Sequence, residues 1–341
     1  RAAVESPAGI LATATPARFD IAPGATQAVT LSLALGSAVN DVYTAGSVVF
    51  TNTSDGRTVR LPVSIQPVRL AVERQVELEA ADAAGTAPLQ VRSGFAGPLS
   101  GLGWGLARPR PEVGVTVGTA VPGTDHPWAP SGGVRTWDLD VPEGAHLLAA
   151  AVTAGGIPGL PGSDGSGDAD GTDLDLYVFR DDDGDGFGAS DLLGLSAGPG
   201  ADESVAALLP APGTYRIAVV GFKTKDATAT FDFTTWLGTD PAPDDPTLPA
   251  GGPGLVVDGD PRPVNPGETA ELSVGWSGLD ADGTYLGLVT YHDQEPPEPK
   301  APIGLTLVRV VRGRARPVVP AIVPGPAPGR LGPAWAPSKI S

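Results

Sequence analysis

Cysteine is absent from the 341 residues, which excludes disulfides and every cysteine-based metal or redox site. Methionine is absent too. The sequence opens at Arg1 in polar text with no charged and apolar leader, and it reads as a processed piece or a fragment of something longer. Lysine occurs only at Lys223, Lys225, Lys300 and Lys339. No apolar run approaches the roughly 18 residues of a membrane span; the best, Leu147 to Val152, is far too short. Positive charge is scarce: 22 bases stand against 39 acids, for a net charge of −17. Such a surface repels phosphate backbones, so no nucleic-acid partner is expected.

Glycine and proline are plentiful, at 47 and 37 residues. Inside a helix each glycine costs about 1 kcal/mol and each proline about 3. A helical bundle, a coiled coil and a doubly wound α/β fold are therefore excluded, while 41% apolar residues supply real cores. At roughly 100–200 residues per domain the length predicts two or three domains. The class expected is all-β, and period-two alternation recurs as that class requires. Val29, Leu31, Leu33 and Leu35 share one strand face, as do Val59, Leu61, Val63 and Ile65. Pro62 has no amide donor, which places the second of these at a sheet edge. Trp137 to Val141, Leu174 to Val178, Tyr215 to Val219, Phe231 to Thr235, Leu272 to Trp276 and Ile303 to Val311 follow the same rule.

Punctuation divides the chain. Gln66-Pro67 closes the first strand group, and residues 240–253 carry five prolines and no strand pattern, as a linker does. From Pro299 onward there are seven bases and no acid, and residues 312–341 read as a disordered, basic, Pro-rich tail. The tail's charge also suits folding back on the acidic body. The organisation expected is 1–67, 68–239, a linker 240–253, 254–311, and the tail.

The densest chemistry lies between Asp164 and Asp191, where ten aspartates face one base, Arg180. Crowded carboxylates repel unless a cation intervenes. Asp181-Asp182-Asp183-Gly184-Asp185-Gly186 fits the first half of an EF-hand-type loop: oxygens at alternate positions wrap a hard cation and the sixth-position glycine permits the turn. Phe187, at the seventh position, would offer its carbonyl. The twelfth position is Leu192 rather than an acid, so Asp191, one residue early, stands in. Asp181, Asp183, Asp185, Phe187 and Asp191 are thus the candidate calcium ligands; a solvated hairpin tip is the other reading. Asp173 and Asp175 share a strand face with Tyr177, either flanking the same ion or lying on a solvated outer face. The run 162–173 adds ligands or forms a loop. Trp104, Trp128 and Trp236, in glycine- or threonine-rich surroundings, are candidates for a stacking platform.

Several stretches resemble known modules. Phe19 to Thr26, Gly46 to Asn52 and Val59 to Val63 resemble the fibronectin-type-III-like domain behind the catalytic domain of subtilisin-like serine peptidases. Asp173-Leu174-Asp175-Leu176-Tyr177-Val178 with Pro212-Gly213-Thr214-Tyr215 resembles the bacterial pre-peptidase C-terminal β-sandwich. Gly267 to Leu279 with Tyr285 to Val308 is similar to the final β domain of actinobacterial subtilases. The resemblance implies tandem β-sandwiches: fibronectin-like and N-terminally incomplete over 1–67, jelly-roll-like over 68–239, and a small immunoglobulin-like sandwich over 254–311. It implies a secreted, extracellular protein whose peptide-bond chemistry belongs to an upstream peptidase domain, with a protein substrate or extracellular polymer as partner.

No catalytic residue is assigned within the chain. The family's Gly-Thr-Ser motif does not occur, and none of His126, His146 and His292 is flanked by a catalytic motif. Gly194-Leu195-Ser196-Ala197-Gly198 matches G-x-S-x-G, but Pro199-Gly200 follows where a nucleophile elbow needs a helix. The function expected is a non-catalytic C-terminal accessory region of a secreted subtilisin-like peptidase, stabilising it or holding substrate or a surface. The alternative is a calcium-dependent extracellular adhesion or polysaccharide-binding protein.

Overall fold

The computed structural model describes residues 1–40, 42–154, 171–239, 253–258, 261–279, 282–293, 301–313 and 321–323. Among them there is no α-helix, only a 3₁₀ turn at Ala189–Asp191. None is long and apolar enough to cross a membrane. The all-β expectation holds, and strands form over every alternating stretch named above.

The first strands are β1 (Ala2–Glu5), β2 (Ile10–Thr15), β3 (Thr30–Leu35), β4 (Thr44–Thr51) and β5 (Thr58–Ile65). They form one sheet of order β1-β4-β5 and the pair β2-β3. Pro62 does lie on the edge strand β5, where its missing donor costs no ladder bond on the open side. Among the described residues of this region the buried apolar side chains are few, Ala2, Pro7, Ile10 and Val48, and Leu33, Leu35, Val59 and Leu61 are exposed.

Next come β6 (Leu70–Val72), β7 (Gln75–Ala80), β8 (Gly85–Ser93) and β9 (Gly97–Ala107). Then follow β10 (Arg110–Gly118), β11 (Val134–Val141), β12 (Ala145–Ala154), β13 (Asp173–Asp181), β14 (Leu192–Ser196), β15 (Glu203–Leu208), β16 (Gly213–Lys223) and β17 (Thr228–Thr239). The last described strands are β18 (Gly254–Asp258), β19 (Arg262–Val264), β20 (Thr269–Ser277), β21 (Gly283–His292), β22 (Gly304–Arg312) and β23 (Ala321–Val323).

Their pairing corrects the expected division. Residues 254–311 do not form a sandwich of their own. β18 and β20 join β8 and β6 in a sheet of order β18-β20-β8-β6, and β19, β21 and β22 join β9 and β7 in the order β19-β9-β21-β22-β7. One host sandwich is therefore assembled from residues 70–107 and 254–312, and the segment 110–239 is inserted into it. The inserted part has its own two sheets, β10-β17-β12-β15-β23 and β11-β16-β13-β14. The physical reason is that β7 and β9 do not pair with each other: β21 and β22 fill the sheet between them, and β20 and β18 extend the sheet of β6 and β8. Most of the expected linker, 240–252, lies outside the described residues. The expected tail is corrected in part: Ala321-Ile322-Val323, between Pro320 and Pro324, pairs in parallel with Val205, Ala206 and Ala207. Three residues free of proline suffice for a short edge strand. The tail's remaining stretches, 314–320 and 324–341, fall outside the described residues.

The four sheets of host and insertion are linked through three apolar layers. Val91, Leu99, Leu272, Val274, Val289 and Val308 fill the host core. Leu148, Val152, Leu176, Ile217, Val219 and Phe231 fill the core of the insertion. Between the two, Leu147, Ala149, Ala151, Ala206 and Trp236 of the insertion meet Ala107, Leu286, Leu288 and Leu307 of the host. Trp236 Nε1 donates to Thr284 O at 2.8 Å across this contact. The sheet containing β12 is thus buried on both faces, which is why Leu147–Val152 shows no polar alternation. Burying a leucine fully is worth roughly 1.5–3 kcal/mol, so this middle layer binds insertion to host strongly. Leu288 is fully buried there. Leu288→Ala is expected to cost about 2–5 kcal/mol of stability, read as a lower denaturation midpoint. An unchanged midpoint would show the middle layer to be loosely packed.

Candidate functional site

The acidic hairpin joins β13 to β14. Asp181 ends β13 and accepts the Gly184 amide at 2.7 Å; Asp183 accepts the Asp185 amide at 3.3 Å. Gly184 and Gly186 take φ values of +78° and +97°, a region that favours glycine, so the sixth-position residue makes the turn as its spacing implies. These turns fold the chain so that one oxygen each of Asp181, Asp183 and Asp185 lies within 4.8 Å of the others. The fourth acid, Asp182, instead pairs with Arg180 at 2.9 Å. Asp183 pushes the Asp185 carboxyl above its ordinary range, first by a hydrogen bond and then by its charge, and Asp191 and Asp181 add to this.

The other two expected ligands are placed differently. Asp191 is not among the clustered three; its Oδ2 accepts the Gly188 amide at 2.7 Å and fixes the 3₁₀ turn. Phe187 is held by its ring: the Arg216 guanidinium lies 4.3 Å from the ring centroid. Arg216 is itself fixed by a two-pronged bond to Asp138, at 2.6 Å on each arm, and by the Trp128 carbonyl at 2.7 Å. The hairpin is therefore anchored to the outer surface of the sheet β11-β16-β13-β14.

That outer surface has an apolar centre. Val134, Phe179, Ala218 and Val220 are buried on it beneath Trp128, Tyr177 and Phe187. His126 stacks on Trp128 at 4.6 Å, and Trp128 meets Phe179 edge-on at 6.4 Å. Leu195 and Leu192, which pair with Tyr177 and Phe179, continue the surface and are 37% and 39% exposed. The signal was present: Tyr177 and Phe179 alternate with Leu174, Leu176 and Val178, so β13 is apolar on both faces.

Of the three tryptophans expected to form a platform, only Trp128 lies on that surface. Trp236 is buried between host and insertion, and Trp104 packs in the same layer with its Nε1 donating to Thr290 Oγ1 at 3.0 Å. A Cβ at Gly103 would strike the Leu255 carbonyl and one at Gly238 the His146 ring, so these glycines make room for close packing beside each tryptophan.

Asp173 and Asp175 do not join the hairpin cluster. They begin β13 and Asp181 ends it, so at about 3.3 Å per residue Asp175 and Asp181 are roughly 20 Å apart. Nor is Asp175 solvated: it is 8% exposed and accepts the Tyr177 hydroxyl at 3.3 Å. Asp173 accepts the Gly200 amide at 3.2 Å. The run 162–170 lies outside the described residues.

Ser196 ends β14, and its hydroxyl donates to Glu203 at the start of β15. A strand follows it, as the Pro199-Gly200 turn implies, so no nucleophile elbow forms. The histidines are elsewhere. His126 is stacked on Trp128; His146 is buried at the host contact with Nε2 at 3.2 Å from Gly105 O; His292 Nε2 is 2.9 Å from Thr290 Oγ1.

No family model matches the chain, and no curated protein matches it. Among solved structures it is similar to tripeptidyl peptidase 2 (TPP II), with a TM-score of 0.27 and 9% identity. The match covers 86% of this chain and 25% of that one, so the chain spans about a quarter of that structure's length.

Burial, then the charges of Asp173 and Glu203, push Asp175 from 3.8 to about 6. A carboxyl raised on folding binds its proton more tightly in the native state, so it lowers stability as pH rises from about 4 to 6. Glu203, raised chiefly by burial, acts in the same direction. Asp175→Asn keeps an acceptor for Tyr177 and is expected to flatten part of that fall when denaturation midpoints are followed across the window. Parallel curves for the two proteins would show that Asp175 titrates as it does unfolded.

Proposed function

We propose that the chain is a non-catalytic accessory region of a secreted, subtilisin-like serine peptidase, carrying a calcium site in the hairpin 181–185 and a binding surface beside it. The observation that carries this reading is the contrast between the two sheets of the insertion. One is consumed by packing on both faces; the other presents aromatic rings next to clustered carboxylates. Ser196 held by Glu203, away from any histidine, supports a binding rather than a hydrolytic part for this chain. The module resemblances in the sequence supply the peptidase context, the extracellular location and an upstream peptidase domain as partner.

In this reading Asp181, Asp183 and Asp185 hold the ion, which offsets the mutual repulsion that raises Asp185. The bound ion fixes the hairpin, and through Phe187 and Arg216 it fixes the adjoining surface. That surface holds protein substrate or an extracellular polymer. The stack of exposed His126 on half-buried Trp128 also favours a second reading, a calcium-dependent adhesion or polysaccharide-binding protein, since stacked rings suit sugar faces.

Calcium binding only the native state raises its stability by mass action. The melting temperature is expected to rise with calcium near neutral pH and to rise less at acid pH, where the carboxylates protonate. The rise should vanish in Asp183→Ala with Asp185→Ala; no rise at saturating calcium removes the site. Co-sedimentation with insoluble protein and polysaccharide fibres separates the two readings. Peptide hydrolysis by this chain alone, abolished by Ser196→Ala, would overturn both.

A further inference from the structure

Among the described residues β3 has one partner, β2, and its other edge is open. An open edge offers free amides and carbonyls to another strand, and proteins guard such edges with charge or proline. β5, likewise open on one side, carries both, Arg60 and Pro62. β3 carries neither. Residues 21–40 hold no charged side chain at all, in a chain of net charge −17.

The side chains of β3 favour the same conclusion. Ile10, Ala12 and Ala14 of β2 stand opposite Leu35, Leu33 and Leu31, so all six share one face of the pair. Ile10 is buried on that face, whereas Leu35 and Leu33 are 40% and 46% exposed. Apolar cover thus runs out at β3. A further strand on the free edge would extend the face and shield these leucines.

The residues of β3 also select which strand fits. Thr30-Leu31-Ser32-Leu33-Ala34-Leu35 has leucine at every second position, symmetrically about Leu33. Turned antiparallel about Leu33, a second β3 sets Leu31 opposite Leu35, Leu33 opposite Leu33 and Leu35 opposite Leu31. Every leucine then meets a leucine on the inner side, and no charge opposes another. A slip of one residue throws the partner's leucines to the other face, so the register is specified. A two-fold dimer needs a surface that complements itself, and this edge is one.

We infer that two copies of the chain pair through β3 about a two-fold axis at Leu33, giving one sheet of order β2-β3-β3-β2 across the dimer. A six-residue edge is small against the roughly 800 Å² that each partner of a standard interface buries, so the dimer is weak and assembles at high protein concentration. The inference rests on neither the calcium site nor the peptidase reading.

Sedimentation equilibrium of the full chain tests it. Leu33 is half-exposed, so Leu33→Asp and Leu33→Lys are expected to keep the parent melting temperature. Each is expected to weaken self-association about tenfold or more, because like charges then meet across the axis. Mixed in equal amounts, the two variants are expected to dimerise again, since the introduced charges attract. A parent chain that stays monomeric up to about 1 mM overturns the inference and leaves the edge to a strand of other sequence. So does self-association that either substitution leaves unchanged, or that mixing fails to restore. Should the charge variants lose the parent melting temperature, a covalent readout decides. Opposed residues of an antiparallel pair lie within disulfide reach, and the chain has no native cysteine. Leu33→Cys is expected to cross-link readily on mild oxidation. Leu11→Cys, 67% exposed but on the opposite face of the β2-β3 pair, is not. Equal cross-linking of the two contradicts pairing through β3.

Discussion

Burial of one sheet on both of its faces is the constraint from which the rest follows. β10, β17, β12, β15 and β23 form a layer with the insertion's core on one side and the host's surface on the other. Small side chains at Ala149, Ala151 and Ala206 bring the layers close, while Leu147, Leu286 and Leu288 fill the space between. Apolar contact of this extent is non-directional, but Trp236 donating to Thr284 O gives it one fixed point. The host depends on the same arrangement in another way. Its strands come from both sides of the insertion, so neither half closes a core alone.

The consequence for function is a division of surfaces. With one insertion sheet enclosed, the other keeps an outer side, which carries rings beside the Arg216–Asp138 pair. Arg216 ties that surface together by holding Asp138, the Trp128 carbonyl and the ring of Phe187 at once. The hairpin of clustered carboxylates is joined to the same surface through Phe187, so an ion at Asp181, Asp183 and Asp185 and a ligand on the rings would act on one rigid unit.

Much of the strand content was legible because alternation is local: the face shared by Leu174, Leu176 and Val178 is read from three residues and buried as read. Pro62 marked an edge for an equally local reason. Domain membership was not legible, because β8 meets β20 across more than 170 residues and nothing near either strand announces its partner. Leu147–Val152 is too short for a membrane, yet its lack of alternation also marks burial on both faces, which the count of apolar residues does not reveal. Trp104 and Trp236 sit among small residues because Gly103 and Gly238 admit the Leu255 backbone and the His146 ring close beside them. In the hairpin, spacing identified Asp181, Asp183 and Asp185 correctly as neighbours, whereas Asp191 was claimed by a backbone amide, a competition that spacing alone does not express.

The shared middle layer is tested most directly by native-state amide hydrogen exchange. The account predicts that the slowest amides of β12 in the insertion and β21 in the host exchange through one common opening, with the same free energy and the same denaturant dependence. If β12 opened with the rest of the insertion while β21 kept full protection, the two sandwiches would be independent units and the central claim would be contradicted.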